Sequence, residues 1–140
     1  MAKGLRNLIR LGEWQVDEKR RALGELLTMV GEMETTLRNL EAELVTEQAA
    51  AAAMPVEAGL IYGNYATAAI RRREDINRSI AEVEEKITEA REELRLAYLD
   101  LKKYEIAQRQ RDERAALELE RLEQATLDEL GLQGHLRKNS

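Results

Sequence analysis

Ile9, Val16, Leu23, Val30, Leu37 and Leu44 recur every seven residues, and Leu26, Met33 and Leu40 run beside them three positions on. A repeat of this period lays one apolar stripe along a helix that winds against another, the seam of a coiled coil. A second series follows the chain's single proline, Pro55. Ile80, Ile87, Leu94 and Leu101 occupy one heptad position, with Ile76, Val83, Ala90, Ala97 and Tyr104 at its companion. Two seams and one break predict two helical arms folded back on each other.

The first arm is expected from Leu5 to Ala53, where Pro55 pushes Met54 out of the helical region. Gly12 and Lys19 interrupt its seam, while Gly24 and Gly31 fall on its outer surface. A glycine costs roughly 1 kcal/mol relative to alanine in a helix interior, so this arm should be softer near its start. Residues 54–64 contain Gly59, Gly63 and Asn64 and read as the hairpin tip. A short helical turn over Val56 to Tyr62 fits there, because Leu60, Ile61, Tyr62 and Tyr65 are too apolar for a fully solvated loop.

The second arm is expected over 65–130, ending at Gly131 as a glycine cap with Leu132 as its hydrophobic follower, and 131–140 as a flexible tail. The fold class is therefore all-α, two long helices forming an antiparallel coiled-coil hairpin, in a single domain. A fold-back centred near residue 59 leaves Arg114 to Leu130 overhanging the first arm. Leu117, Leu119, Leu122, Leu127 and Leu130 give that overhang an apolar surface, and Glu118, Glu120, Glu123, Asp128 and Glu129 make it acidic. An amphipathic helix left over from a hairpin usually docks on something.

Composition agrees with a thin seam rather than a round core. Of 140 residues 35% are charged and 4% aromatic, with no phenylalanine. The net charge of −5 argues against nucleic acid as a partner, since duplex binders carry a basic surplus. The absence of cysteine removes disulfides and thiolate metal sites and suits the cytoplasm. No apolar run approaches the roughly 20 residues that span a bilayer, and no signal-peptide block opens the chain. His135 is the only histidine, and neither a phosphate-binding glycine loop nor zinc-ligand spacing occurs. Carboxylates lie in i, i+4 partnership with bases, as Glu82 with Lys86. No enzyme activity, cofactor or metal is expected.

The informative residues are apolar ones off the seam. Leu8, Leu11 and Trp14 surround the start of the first arm with apolar surface. Either the overhang curls against them, or a shift near Gly12 turns Trp14 inward, or a partner covers them. Leu96 and Leu99, beside Tyr98, are expected opposite residues 19 to 23, next to Lys19, Arg20 and Arg21. Residues 1–24 carry six basic against three acidic side chains, and residues 25–47 one against six, so the open end is basic and the shaft acidic. Arg71, Arg72 and Arg73 form a knot behind Leu60, Tyr62 and Tyr65. It reads either as a solvated face or as a second docking point.

The opening stretch LRNLIRLGEWQVDEKRRALGELL, a glycine-containing break flanked by tyrosines, and a second helix with LRLAYLDLKKYE together resemble the FliJ family of bacterial flagellar export proteins. The resemblance covers nearly the whole chain. It implies an antiparallel coiled coil similar to the central stalk of rotary ATPases, with the flagellar export ATPase and the membrane export gate as partners and export chaperones as further candidates. In that setting the open end, with Leu8, Leu11, Trp14, Arg20, Arg21, Leu119 and Leu122, is the candidate for the ATPase ring. The tip from Leu60 to Arg73, including Tyr62, Tyr65 and Arg72, is the candidate for the gate. The resemblance implies a cytoplasmic protein, peripheral to the membrane at most.

Two other readings use the same residues: a dimeric coiled-coil scaffold, and an export chaperone that holds flagellar subunits. A parallel dimer would have to carry Pro55 and two glycines through its middle, so a monomeric hairpin is favoured. Native mass should show a monomer; an obligate dimer would overturn the hairpin.

Overall fold

Two α-helices make up the described structure, α1 (Ala2–Ala52) and α2 (Val56–Asn139). The computed structural model describes residues 2–53 and 56–139, apart from the side chains of residues 2, 3, 57 and 58. Met54 and Pro55, on which the expected break rests, lie outside the described residues, as do Ser140 of the expected tail and the Lys3 side chain. At the end of α1 the Ala53 amide donates to the Ala50 carbonyl at 3.3 Å, an i→i−3 bond that tightens the final turn.

The chain divides into two units: Gln15–Ala97, and Met1–Trp14 together with Tyr98–Ser140. Each is an antiparallel pairing of α1 with α2. In the Gln15–Ala97 unit the heptad residues meet as the sequence predicts. Val16, 3% exposed, and Leu40 are buried from α1, and Ala69, Ile80, Val83, Ile87, Ala90 and Ala97 from α2. Leu23, Leu26, Val30, Met33, Leu37 and Leu44 are half-buried beside them. Two helices alone cannot enclose long side chains, so the deepest positions on α2 fall largely to alanine and β-branched residues that let the axes approach.

The seam of α2 begins earlier than its first isoleucines suggest. Tyr62, Ala66 and Arg73 are half-buried and Ala69 is buried, all ahead of Ile76, Ile80 and Val83. That explains why Gly59, Gly63 and Asn64 do not form the expected turn. Each glycine costs α2 about 1 kcal/mol, but the packed residues that follow reward an unbroken helix from Val56 onward. The second arm accordingly starts at Val56 rather than at residue 65.

Register is tied by Lys19, whose stem lies in the seam while its Nζ reaches Glu93 Oε2 at 3.0 Å. Residues 19 and 93 have their midpoint at residue 56, three residues short of the expected fold-back at 59. The difference follows from α1 running to Ala52 and α2 resuming already at Val56.

In the other unit, Gly12 is buried against Leu101. A Cβ built at Gly12 would stand 3.2 Å from Leu101 Cδ1 and 3.5 Å from its Cα and Cβ. This glycine is therefore a point of close helix approach, not merely a gap in the stripe. Ile9, Leu5, Tyr104 and Gln108 are half-buried, and every described residue from 109 to 139 is exposed.

The expected cap at Gly131 does not form. No described glycine has a positive φ, and α2 runs through Gly131 and Gly134 to Asn139. Arg137 and Lys138 lie in the last turn, where the helix dipole favours cations. The second arm thus ends nine residues later than the expected 130, and residues 131–139 are helical.

The glycines give a direct test. Nothing lies within 4 Å of a Cβ added at Gly24 or Gly31, so alanine at either should raise stability by about 1 kcal/mol. Gly12→Ala should give less, because the Leu101 methyl must move, and Gly12→Leu should cost about 1–3 kcal/mol through overpacking. Urea melts followed by circular dichroism read all four variants.

Candidate functional site

The concavities among the described residues are shallow and open, and the candidate surfaces are side chains that the seam leaves outside. In the unit containing the chain's start, Leu8, Leu11 and Trp14 follow one another at helical spacing on α1, and all are exposed. Trp14 is 59% exposed, so neither a shift at Gly12 nor a curling overhang has turned it inward. Burial of Gly12 accounts for this. The contact with Leu101 fixes which face of α1 meets α2, and Leu11, about 100° round the helix from Gly12, and Trp14, about 160° round, then fall outside it. On α2 of the same unit Tyr98, Leu99 and Ile106 are exposed, with Lys102 Nζ 5.2 Å from the Tyr98 ring centroid. The Lys102 pKa is raised, first by its hydrogen bond to Glu105 and then by Tyr98.

Further along α2, Leu117, Leu119, Leu122, Leu127, Leu130, Leu132 and Leu136 are all exposed. Their spacing divides them between two faces: Leu119, Leu122, Leu127 and Leu130 on one, Leu117, Leu132 and Leu136 on the other. Leu122 and Leu127 flank a shallow groove with Glu123 and Thr126. Charge between the faces is organised locally: Arg121 pairs with Glu118, and Gln124 donates to Asp128 at 3.0 Å. The Glu118 hydrogen bond raises the Arg121 pKa. The overhang expected from the sequence is present as an uncovered, amphipathic and mostly acidic helix.

Leu96, Arg20 and Arg21 belong to the Gln15–Ala97 unit and are exposed. The Lys19–Glu93 bridge sets Leu96 level with Val16, about one helical turn from the 19–23 segment expected opposite it. Arg21 Nη1 turns back to Glu18 Oε1 at 3.0 Å. The expected joint apolar and basic flank is thereby displaced along the helix, because the fold-back is tighter than the sequence suggested.

At the tip of the same unit the candidate residues separate into two kinds. Leu60 and Arg72 are exposed. Tyr62 and Tyr65 are half-buried, their ring centroids 6.4 Å apart at 38°. The Tyr65 hydroxyl oxygen is enclosed without a hydrogen-bond partner of good geometry. Enclosure first, then the Glu43 carboxylate and Glu47, raise its pKa. Tyr65 is thus part of the helix packing as much as of any outer surface. Extending the Ile76 and Ile80 series backward by sevens reaches Ala69 and Tyr62, Arg73 and Ala66; that signal was available in the sequence.

Among the described residues no group of three His, Asp or Glu side chains is placed to hold a metal ion, and no helix is long and apolar enough to cross a membrane. Fold and surface together define a two-helix antiparallel coiled coil whose distinctive chemistry lies in exposed apolar side chains at its ends. Its sequence matches the family described as "Flagellar FliJ protein" over residues 1–140. It is also 32% identical over 134 residues to the flagellar FliJ proteins of two Caulobacter vibrioides strains, NA1000/CB15N and ATCC 19089/CIP 103742/CB 15, with 94% of each chain covered. No solved structure matches. The chain belongs to the flagellar FliJ family.

Tyr65 supplies a pH test. Its folded pKa lies above the ordinary tyrosine value, so the protonated phenol favours the folded state at pH below about 10. That contribution is lost as pH rises through the raised pKa. Tyr65→Phe should flatten the alkaline fall in melting temperature above about pH 10.

Proposed function

We propose that this chain is a non-enzymatic stalk and assembly factor of the flagellar protein export apparatus, acting with the export ATPase ring and the export gate. Membership of the FliJ family supports the flagellar role. The observation that carries the finer reading is the unit formed by residues 1–14 and 98–140, where α2 outlasts its companion and bears leucines on two faces. A helix with two apolar faces suits a setting in which neighbours surround it.

Leu8, Leu11 and Trp14 on α1, with Leu99, Leu119 and Leu122 on α2, are the residues assigned to the ring, with Arg20 and Arg21 adding charge. Leu60 and Arg72 at the tip, flanked by Tyr62 and Tyr65, are assigned to the gate; Leu96, level with Val16, is a separate partner contact. Two helices have no six-fold symmetry, so inside a six-membered ring they favour some subunits over others at any moment. The protein works from the cytoplasm, at most peripheral to the membrane.

Purified chain should stimulate ring assembly and hydrolysis by the export ATPase. Leu11→Ala with Trp14→Ala should reduce that stimulation several-fold, while stability stays within about 0.5 kcal/mol per exposed site. A loss of helicity in this variant would mean the two residues serve the fold instead. An export chaperone would use the same leucines. Retention of isolated flagellar subunits without the ATPase would favour that reading, and no retention would remove it.

A further inference from the structure

In a chain that is 35% charged, residues 48–70 carry a single charged side chain, Glu57. Five consecutive alanines, Ala49 to Ala53, lead into this stretch from α1. The three most exposed large apolar side chains of the described residues all lie in it: Val56 at 86%, Leu60 at 72% and Ile61 at 72%. The stretch ends abruptly at Arg71, Arg72 and Arg73. Arg73 is half-buried on the seam, whereas Arg71 and Arg72 are exposed and close no ion pair among the described residues.

We propose that this hairpin tip is an interfacial anchor that inserts its apolar end into an anionic lipid surface. The order of side chains along α2 matches depth in a bilayer interface. Val56, Leu60 and Ile61 come first, the Tyr62–Tyr65 pair next, and the arginines last. Hydrocarbon, the aromatic-rich boundary and lipid phosphates follow one another in that sequence. Ile61 and Arg72 are eleven residues apart, three helical turns, so they share a face roughly 16 Å apart along the axis. An apolar tip seated about 5–10 Å below the headgroup boundary leaves those arginines among the headgroups.

Charge at the rim gives the insertion a direction. On α1 the first charges beyond the alanines are Glu47 and Glu43, whose carboxylates act on Tyr65. The rim is therefore basic along α2 and acidic along α1, and an anionic surface draws the α2 side toward itself.

This goes beyond the export reading, and the two stand apart, because vesicles of pure lipid contain neither ATPase nor gate. The full chain is floated with vesicles of phosphatidylcholine alone and of phosphatidylcholine with phosphatidylglycerol. Binding to the mixed vesicles should exceed binding to the neutral ones several-fold. Leu60→Asn with Ile61→Asn should abolish both, Arg71→Gln with Arg72→Gln should remove the preference, and Glu43→Gln with Glu47→Gln should strengthen it. An environment-sensitive dye on Ile61→Cys should shift to the blue with vesicles, and the same dye on Leu122→Cys should not. The proposal is overturned if no vesicle is bound, if the Leu60 and Ile61 changes leave binding intact, or if the dye responds at position 122 instead of 61. It is equally overturned if wild-type chain ignores lipid while those tip changes abolish binding to the purified gate protein, which would make the occupant a protein.

Discussion

The structure depends on one narrow constraint: two helices must bury a stripe of heptad residues against each other with no third layer to help. Many long side chains in that stripe, Leu23, Leu26 and Leu37 among them, remain half-buried, so packing quality rests on the few positions that close fully. Ala69, Ala90 and Ala97 on α2 are buried beside Val83 and Ile87, and Gly12 on α1 lies close against Leu101. Because side chains off the stripe have nothing to pack against, the same constraint that holds the fold also determines its surface. Trp14 is outside because Gly12 is inside.

Register carries the constraint from packing to surface chemistry. In an antiparallel pair, a shift of a few residues changes which polar groups meet across the seam. Lys19 shows how a charged residue is accommodated there: its stem lies along the apolar stripe and its ammonium emerges to meet Glu93. The exposed bridge adds little to stability on its own, but it suits only a register that brings residues 19 and 93 together. It is one polar mark on a seam that is otherwise repetitive.

Much of this was legible in the residues. The sevenfold spacing gave the arms, their antiparallel pairing and the outward position of Leu11 and Trp14, and the opening and LRLAYLDLKKYE stretches pointed to the family. Boundaries were harder to read. Gly59, Gly63 and Gly131 carry strong local signals for turns or caps, yet each lies within α2 without a positive φ. A glycine weakens a helix by an amount that neighbouring turns can outweigh, so its presence marks a cost rather than an end. The tip tyrosines were offered as a docking surface because Gly59, Gly63 and Asn64 behind Pro55 mark a turn there. Heptad spacing placed Tyr62 on the seam, and that periodic signal, weaker to the eye than a cluster of glycines, was the correct guide. The docking surfaces were legible only as faces, since exposure names a face and not its occupant.

The uncovered part of α2 has an energetic consequence. From residue 109 to 139 its backbone is held only by its own hydrogen bonds and by ion pairs along one helix. A helix without tertiary packing has only its own propensity and local pairs to resist opening. Amide hydrogens there should exchange with solvent far faster than those flanked by Val83 and Ile87, and should slow when a neighbour seats on the leucines. Ordering and binding are then a single equilibrium, so a partner's affinity can be tuned by helix propensity at positions it never touches.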